Sequence, residues 1–193
     1  MNATLQKVKS FAEKAHGDQR RKYSEERFIS HPIRVMENCA TYTDDVCVLS
    51  AALLHDVLED TSVNKDQLHR FLQSVMSLSE ASRTLDLVIE LTDIYTKKHY
   101  PGLNRRARKG KEADRLALIS GDAQTIKYAD IMDNAANIFI HDPDFAVVFI
   151  QEGKRVLKRM IKGDPELLDR ALKMVDDCLE LMDEEKEVLN KIK

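Results

Sequence analysis

His55, Asp56, Glu59 and Asp60 lie within an apolar stretch, residues 46–61, whose other members are almost all small or aliphatic. On a helix that advances about 100° per residue, with His55 at zero, Glu59 falls at about 40°, Asp56 at about 100° and Asp60 at about 140°. All four would then project from one side of one helix. Val46, Val48, Leu49, Ala51, Ala52, Leu53, Leu54, Val57 and Leu58 cover nearly all of the circumference, which marks a buried helix. Unpaired charge in such surroundings costs several kcal/mol per group even after relaxation. Something must compensate it, and a divalent cation is the most economical candidate.

Two other segments offer partners. His31 stands directly before Pro32, which suits a first helical turn and puts the imidazole at a helix mouth, able to point into the core. In the stretch 123–140, Asp130 and Asn134 are one turn apart, and Asp133 and Asn137 lie within roughly 60° of Asp130 on a helix otherwise made of Ala, Ile, Met and Phe. His31, His55, Asp56 and Asp130 together form a mixed nitrogen and oxygen donor set, which points to Mn²⁺, Fe²⁺ or Zn²⁺. Such an ion lowers the pKa of a bound water and polarises a phosphoryl oxygen. Glu59 and Asp60, one turn further on, are spaced to orient or deprotonate that water. His16, His69, His99 and His141 sit among charged or turn residues and are expected to be exposed.

The elements that must position these residues are helices. Gly and Pro are scarce, β-branched alternation is nearly absent, and apolar residues recur at helical spacing. Helices are predicted at 3–16, 31–42, 44–60, 64–75, 77–92, 104–120, 122–141, 144–162 and 165–190, which gives an all-α bundle with the His55 helix at its centre. Asp44 and Ser62 are candidate N-caps, Pro165 follows a capping Asp164, and Pro143 separates two helices. A chain of 193 residues fits one domain, residues 1–193, with a sizeable core.

A net charge of −3 argues against general nucleic-acid affinity, and no apolar run is long enough to span a bilayer. The first residues have no apolar core and do not read as a signal peptide. The cysteines Cys39, Cys47 and Cys178 are odd in number and form no metal-type pair, which suits a reducing cytoplasm. Charge is uneven along the chain. Lys97, Lys98, His99, Arg105, Arg106, Arg108, Lys109 and Lys111 cluster around Pro101-Gly102, a segment that either steers a polyanion or is a solvated loop. The C-terminal helix balances it with Asp176, Asp177, Glu180, Asp183, Glu184, Glu185 and Glu187.

This order of residues resembles the HD-domain metal-dependent phosphohydrolases, and more narrowly the hydrolase domain of the RelA/SpoT family with its free-standing small alarmone hydrolases. The matching stretches are Gln19-Arg20-Arg21-Lys22, His31-Pro32, the run from Ala51 through His55-Asp56-Val57-Leu58-Glu59-Asp60 to Thr61, Leu91-Thr92-Asp93, and Lys127-Tyr128-Ala129-Asp130 with Asn134. The resemblance implies a metal, typically Mn²⁺, held by His31, His55, Asp56 and Asp130, with Glu59 and Asp60 serving the nucleophilic water. It also implies substrate contacts from Arg21, Lys22 and Asn134, and hydrolysis of the 3′-pyrophosphate of (p)ppGpp to GDP or GTP. Residues 23–30 and 95–121 depart from the family pattern and would wall the nucleoside pocket. Other nucleotides therefore stay open as substrates: (p)ppApp, NADPH or a nucleoside monophosphate. A nucleotide-sensing module without turnover is the non-enzymatic alternative, and a homodimer is compatible with the reading.

Overall fold

The computed structural model describes residues 2–22 and 24–192, with side chains through residue 184. Glu185 and Glu187 of the acidic C-terminal run lie outside the described side chains. The described chain is all-α: α1 (Ala3–His16), α2 (Ser30–Cys39), α3 (Val46–Leu54), α4 (Val57–Asp60), α5 (Lys65–Val75), α6 (Leu78–Leu91), α7 (Arg105–Leu116), α8 (Gly121–His141), α9 (Pro143–Leu157) and α10 (Pro165–Ile192). Among the described residues no helix is long and apolar enough to cross a membrane.

Local chemistry sets most of the boundaries. Asn64 with Gln67 and Ser77 with Glu80 form capping boxes at the starts of α5 and α6, each satisfying two end amides reciprocally. Pro143 and Pro165 occupy first helical positions behind Asp142 and Asp164, whose carboxylates accept the amides of Phe145 and Leu167. Two expected caps shift. Asp45, not Asp44, accepts the Cys47 amide and starts α3, and Asn64 rather than Ser62 starts α5. In both places several good cap formers are adjacent, and the register of the apolar residues behind them decides which one serves.

The larger correction falls on the central helix. Residues 44–60 do not form one rod, because the chain turns at His55–Asp56 and divides it into α3 and α4. In an unbroken helix the Ala52 carbonyl would accept the Asp56 amide. Here it is engaged by His55 Nδ1 at 2.8 Å, and Asp56 opens to ψ −6° before its own carbonyl takes up the amides of Glu59 and Asp60. Every residue of α3 from Cys47 to Leu54 is buried, as a central element requires. α2 and α6 pack on α3, and α2, α9 and α10 pack on α8. Ala123, Ala129 and Ala135 are fully buried along α8 and let these neighbours approach closely.

A buried polar clamp ties α8 to the segment between α9 and α10. The Tyr128 hydroxyl, fully buried, donates to the Met160 carbonyl at 2.6 Å and accepts the Gly163 amide at 3.2 Å. Gln124 donates to the carbonyls of Leu116 and Ala117 and accepts the Lys162 amide at 2.7 Å. Gly163 is required here, since a Cβ would stand 2.6 Å from Tyr128 Cε2 and 2.8 Å from the Thr125 amide nitrogen. Replacing Tyr128 by Phe leaves a buried carbonyl and amide without their partner, so Tyr128→Phe is expected to lower stability by about 1–3 kcal/mol in urea denaturation. An unchanged midpoint would show that the clamp is not what holds α9 beside α8.

Candidate metal centre

Three elements converge on one point: the first turn of α2 carries His31, the turn between α3 and α4 carries His55 and Asp56, and the middle of α8 carries Asp130. His31 and His55 are 1% and 2% exposed, with ring centroids 5.1 Å apart at a steep angle. Each ring has its Nδ1 occupied. His31 Nδ1 lies 2.6 Å from Asp133 Oδ2, and His55 Nδ1 lies 2.8 Å from the Ala52 carbonyl oxygen. An acceptor at Nδ1 places the proton there and turns Nε2 inward as a free donor atom.

Those two Nε2 atoms are buried and make no hydrogen bond. They face carboxylates instead: His31 Nε2 is 3.2 Å from Asp130 Oδ1 and 3.6 Å from Asp56 Oδ2, and His55 Nε2 is 3.1 Å from Asp56 Oδ2 and 3.7 Å from Asp130 Oδ1. The donor atoms of His31, His55 and Asp56 all lie within 4.8 Å of one another. Two ligands about 2.1 Å from a shared ion stand about 3.0–3.4 Å apart at octahedral to tetrahedral angles. The close approach of four donor atoms without hydrogen-bond geometry therefore fits a divalent cation.

The surrounding charges hold the carboxylates ionised. Burial opposes charge on Asp130, but Lys127 at 2.7 Å, helped by His31 and His55, holds its carboxyl well below the usual range. Lys127 occupies Oδ2, and Asn134 Nδ2 donates to Oδ1 at 2.6 Å. Asp133, also buried, is kept below its usual value by His31 and by the Arg34 guanidinium, which reaches on to Glu26 at 2.6 Å. Burial disfavours charge on His55, yet Asp56 and Asp130 outweigh it and raise the imidazole to about 10. The centre is anionic enough to retain a positive charge in its midst.

Asp56 and Asp130 also line a cavity of about 270 Å³, so the imidazoles sit one layer in from its wall. Glu59 and Asp60 line the same cavity, although the break in the helix alters the angles expected from a continuous rod. Burial, reinforced by the Asp93 carboxylate, pushes Glu59 up to about 7, and burial with the charge of Asp56 pushes Asp60 up to about 6. Glu59 Oε2 accepts the Asp93 amide at 3.1 Å. Leu116, Ile131, Phe149 and Val156 also line the cavity and form its apolar wall. Gly153 faces Ile131 there, and a Cβ would meet its Cγ2 at 3.1 Å, so the glycine keeps α8 and α9 close and the wall open.

Of the expected substrate contacts, Arg21 and Asn134 line the cavity and are joined by an Arg21 Nη2 to Asn134 Oδ1 bond of 2.7 Å. Lys22 does not line it. Its Nζ stands 5.7 Å over the Phe145 ring. His16 was expected to be exposed and is buried, at 5%, because Phe28 folds back and stacks on it at 4.6 Å while Gln19 Oε1 meets its Nδ1 at 2.9 Å. Burial pulls its imidazole below the ordinary value. Residues that sequence reasoning left without a role also appear. Asp133 and Arg34 brace His31, Lys127 braces Asp130, and buried Glu112 accepts the amides of Ile94 and Tyr95 at 3.2 and 2.9 Å, fixing the loop before α7. The one available signal was spacing, since Arg34 follows His31 and Asp133 follows Asp130 by about one turn.

The HD-domain family model matches residues 9–129. The human guanosine-3′,5′-bis(diphosphate) 3′-pyrophosphohydrolase MESH1 is 34% identical over 140 residues, 70% of either chain. A Mycoplasma pneumoniae protein described as a probable guanosine-3′,5′-bis(diphosphate) 3′-pyrophosphohydrolase is 30% identical over 142 residues, which is 70% of this chain but 18% of that longer protein. Among solved structures, a metazoan SpoT ortholog reported to hydrolyse ppGpp superposes with a TM-score of 0.76 at 24% identity, covering 94% of this chain and 96% of its own. It shares this fold.

Removing the brace behind His31 tests the centre directly. Asp133→Ala is expected to weaken Mn²⁺ binding about 10–100-fold in isothermal titration. Asp133→Asn, which keeps an oxygen acceptor, should lose less. Equal affinity in all three proteins would mean that His31 does not ligate through a ring oriented by Asp133.

Proposed function

The chain belongs to the HD-domain family, and from that premise we propose that it is a divalent-metal-dependent 3′-pyrophosphohydrolase of (p)ppGpp, releasing pyrophosphate and GDP or GTP. The observation that carries this reading is the pair of buried, unbonded Nε2 atoms of His31 and His55 facing Asp56 and Asp130 at the floor of the cavity. In this reading His31, His55, Asp56 and Asp130 hold the ion, with Mn²⁺ first and Fe²⁺ or Zn²⁺ as alternatives for a mixed imidazole and carboxylate set. Once bound, the cation supplies Lewis acidity at a phosphoryl oxygen and lowers the pKa of a water.

The protein's own groups do the rest. Glu59, with its carboxyl near 7, takes a proton from the attacking water, and Asp60 orients that water from the neighbouring position. The water oxygen bonds to the phosphorus beside the ribose 3′ oxygen. The bond between that phosphorus and the 3′ oxygen breaks, the 3′ oxygen takes up a proton, and pyrophosphate departs. Arg21 presents a fork of N–H donors to phosphate or a flat face to the base, and Asn134 links it to Asp130. Lys22, next to Arg21 in the chain, adds a point charge. The apolar wall of Leu116, Ile131, Phe149 and Val156 receives the nucleobase.

We read residues 1–193 as one HD-type domain, supported by a single core cluster that runs from Leu5 to Met182. Cys39, Cys47 and Cys178 are free and buried, which supports a reducing, cytoplasmic setting.

The double substitution Glu59→Gln with Asp60→Asn is expected to keep Mn²⁺ affinity and lose turnover at least about 10²-fold. Activity surviving in that protein would sink the assigned roles. Wild-type enzyme should be silenced by EDTA, restored by Mn²⁺, and release pyrophosphate from ppGpp. If only ppApp, NADPH or deoxynucleoside monophosphates turned over, the alarmone assignment would be wrong, and if none did, the chain would be a sensor.

A further inference from the structure

The basic segment at 97–111 separates into groups with different roles. Arg105 pairs with Glu152 at 2.6 Å, Lys109 with Asp93 at 3.3 Å, and Lys111 lies over the Tyr95 ring. Across from them, Arg159 pairs with Asp114. Arg106, Arg155 and Lys158 are exposed and have no carboxylate partner among the described residues. These three line one groove of about 360 Å³ between α7 and the C-terminal end of α9. Its lining holds five cationic side chains and a single carboxylate, Glu152, which is already paired with Arg105.

Lys109, Glu152 and Val156 line both this groove and the cavity of the metal centre, so the two spaces are neighbours across the seam between α7 and α9. Their charges differ in balance. The cavity carries Asp56, Glu59, Asp60, Asp93 and Asp130 beside Arg21, Lys109 and Lys127, whereas in the groove cations outnumber the one carboxylate. In a chain of net charge −3, unpaired cations gathered in a concave site leave a local positive potential that attracts anions. The apolar lining of the cavity suits a nucleoside, and a ligand with phosphates at both ends of that nucleoside would set one end in each space.

We propose that the groove between α7 and α9 holds the 5′-phosphate chain of the nucleotide whose 3′ end lies at the His–Asp centre. This rests on the pyrophosphohydrolase reading above and adds where, and by what charges, the far end of the substrate is bound. Arg106 and Arg155 fork phosphate oxygens, and Lys158 adds a compact charge. A 5′-triphosphate therefore engages more of the groove than a 5′-monophosphate.

Two measurements test this on the full-length protein. The first is the KM for guanosine 3′-diphosphates bearing one, two or three 5′ phosphates, in the Mn²⁺-loaded enzyme. KM should fall about threefold with each added phosphate, in line with exposed charge pairs, and the steps should shrink as salt rises. The triple variant R106A/R155A/K158A should flatten the series, with the loss in KM rather than kcat. A series that is flat in the parent, or that persists in the variant, overturns the proposal. The second is titration of GMP, GDP and GTP onto both proteins without turnover, with far-ultraviolet circular dichroism checking that the variant is folded. Tighter binding of GTP than of GMP, lost in the variant, supports the groove even if no 3′-pyrophosphate is hydrolysed, an outcome that would sink only the enzymatic reading. Equal binding of GMP and GTP by the parent sinks the groove alone.

Discussion

Asp56, Asp130 and Asp133 are carboxylates inside an apolar bundle, and keeping them charged there is the constraint on which the rest of the structure depends. Each is answered by specific partners. Asp130 has Lys127, Asn134 and His31, Asp133 has Arg34 and His31, and Asp56 has both imidazoles. These partners come from α2, from the turn after α3, and from α8, so the three elements must meet at one level. Removing any one of them would leave a buried charge without its counterpart, and that costs far more than a lost surface pair. The packing of small residues along α8 and the burial of α3 from Cys47 to Leu54 serve this convergence.

The same charge arrangement explains why the centre was legible in the sequence. A His-Asp-x-x-Glu-Asp pattern inside a run of aliphatic residues is an energetic anomaly, and a helical period finds it without any structure. Asp130 was singled out for the same reason, as a polar group in an otherwise apolar helix, and His31 from its place before Pro32 at a helix mouth. The turn at His55–Asp56 was not legible, because it depends on an imidazole competing for a backbone carbonyl, which leaves no trace in hydrophobic spacing. Nor was the brace of Arg34 on Asp133, whose partners are 99 residues apart in the chain. His16 was misread from its polar neighbours Lys14 and Asp18, since what buries it is Phe28, arriving from a segment with no periodicity.

The cavity wall shows a different kind of limit. Leu116, Ile131, Phe149 and Val156 are ordinary apolar residues in the sequence, and only the fold brings them together as a lining, with Gly153 letting α9 approach Ile131 of α8. Likewise the basic segment reads as one cluster in the chain. Its members have separate fates because Glu152 and Asp93 neutralise Arg105 and Lys109 and leave others unmatched. Sequence reports how many charges there are, whereas pairing decides which remain available.

α7 packs mainly on α9, outside the α2, α3 and α8 assembly that holds the His–Asp centre. Substitution therefore costs unequal amounts on the two sides. Changes near the imidazoles unbalance buried charge, whereas the exposed face of α7 and the end of α9 accept new side chains at little cost to folding. A lineage carrying this fold can drift in what it accepts while its chemistry stays fixed, so the fastest-changing positions among its descendants should be those that decide which molecule enters.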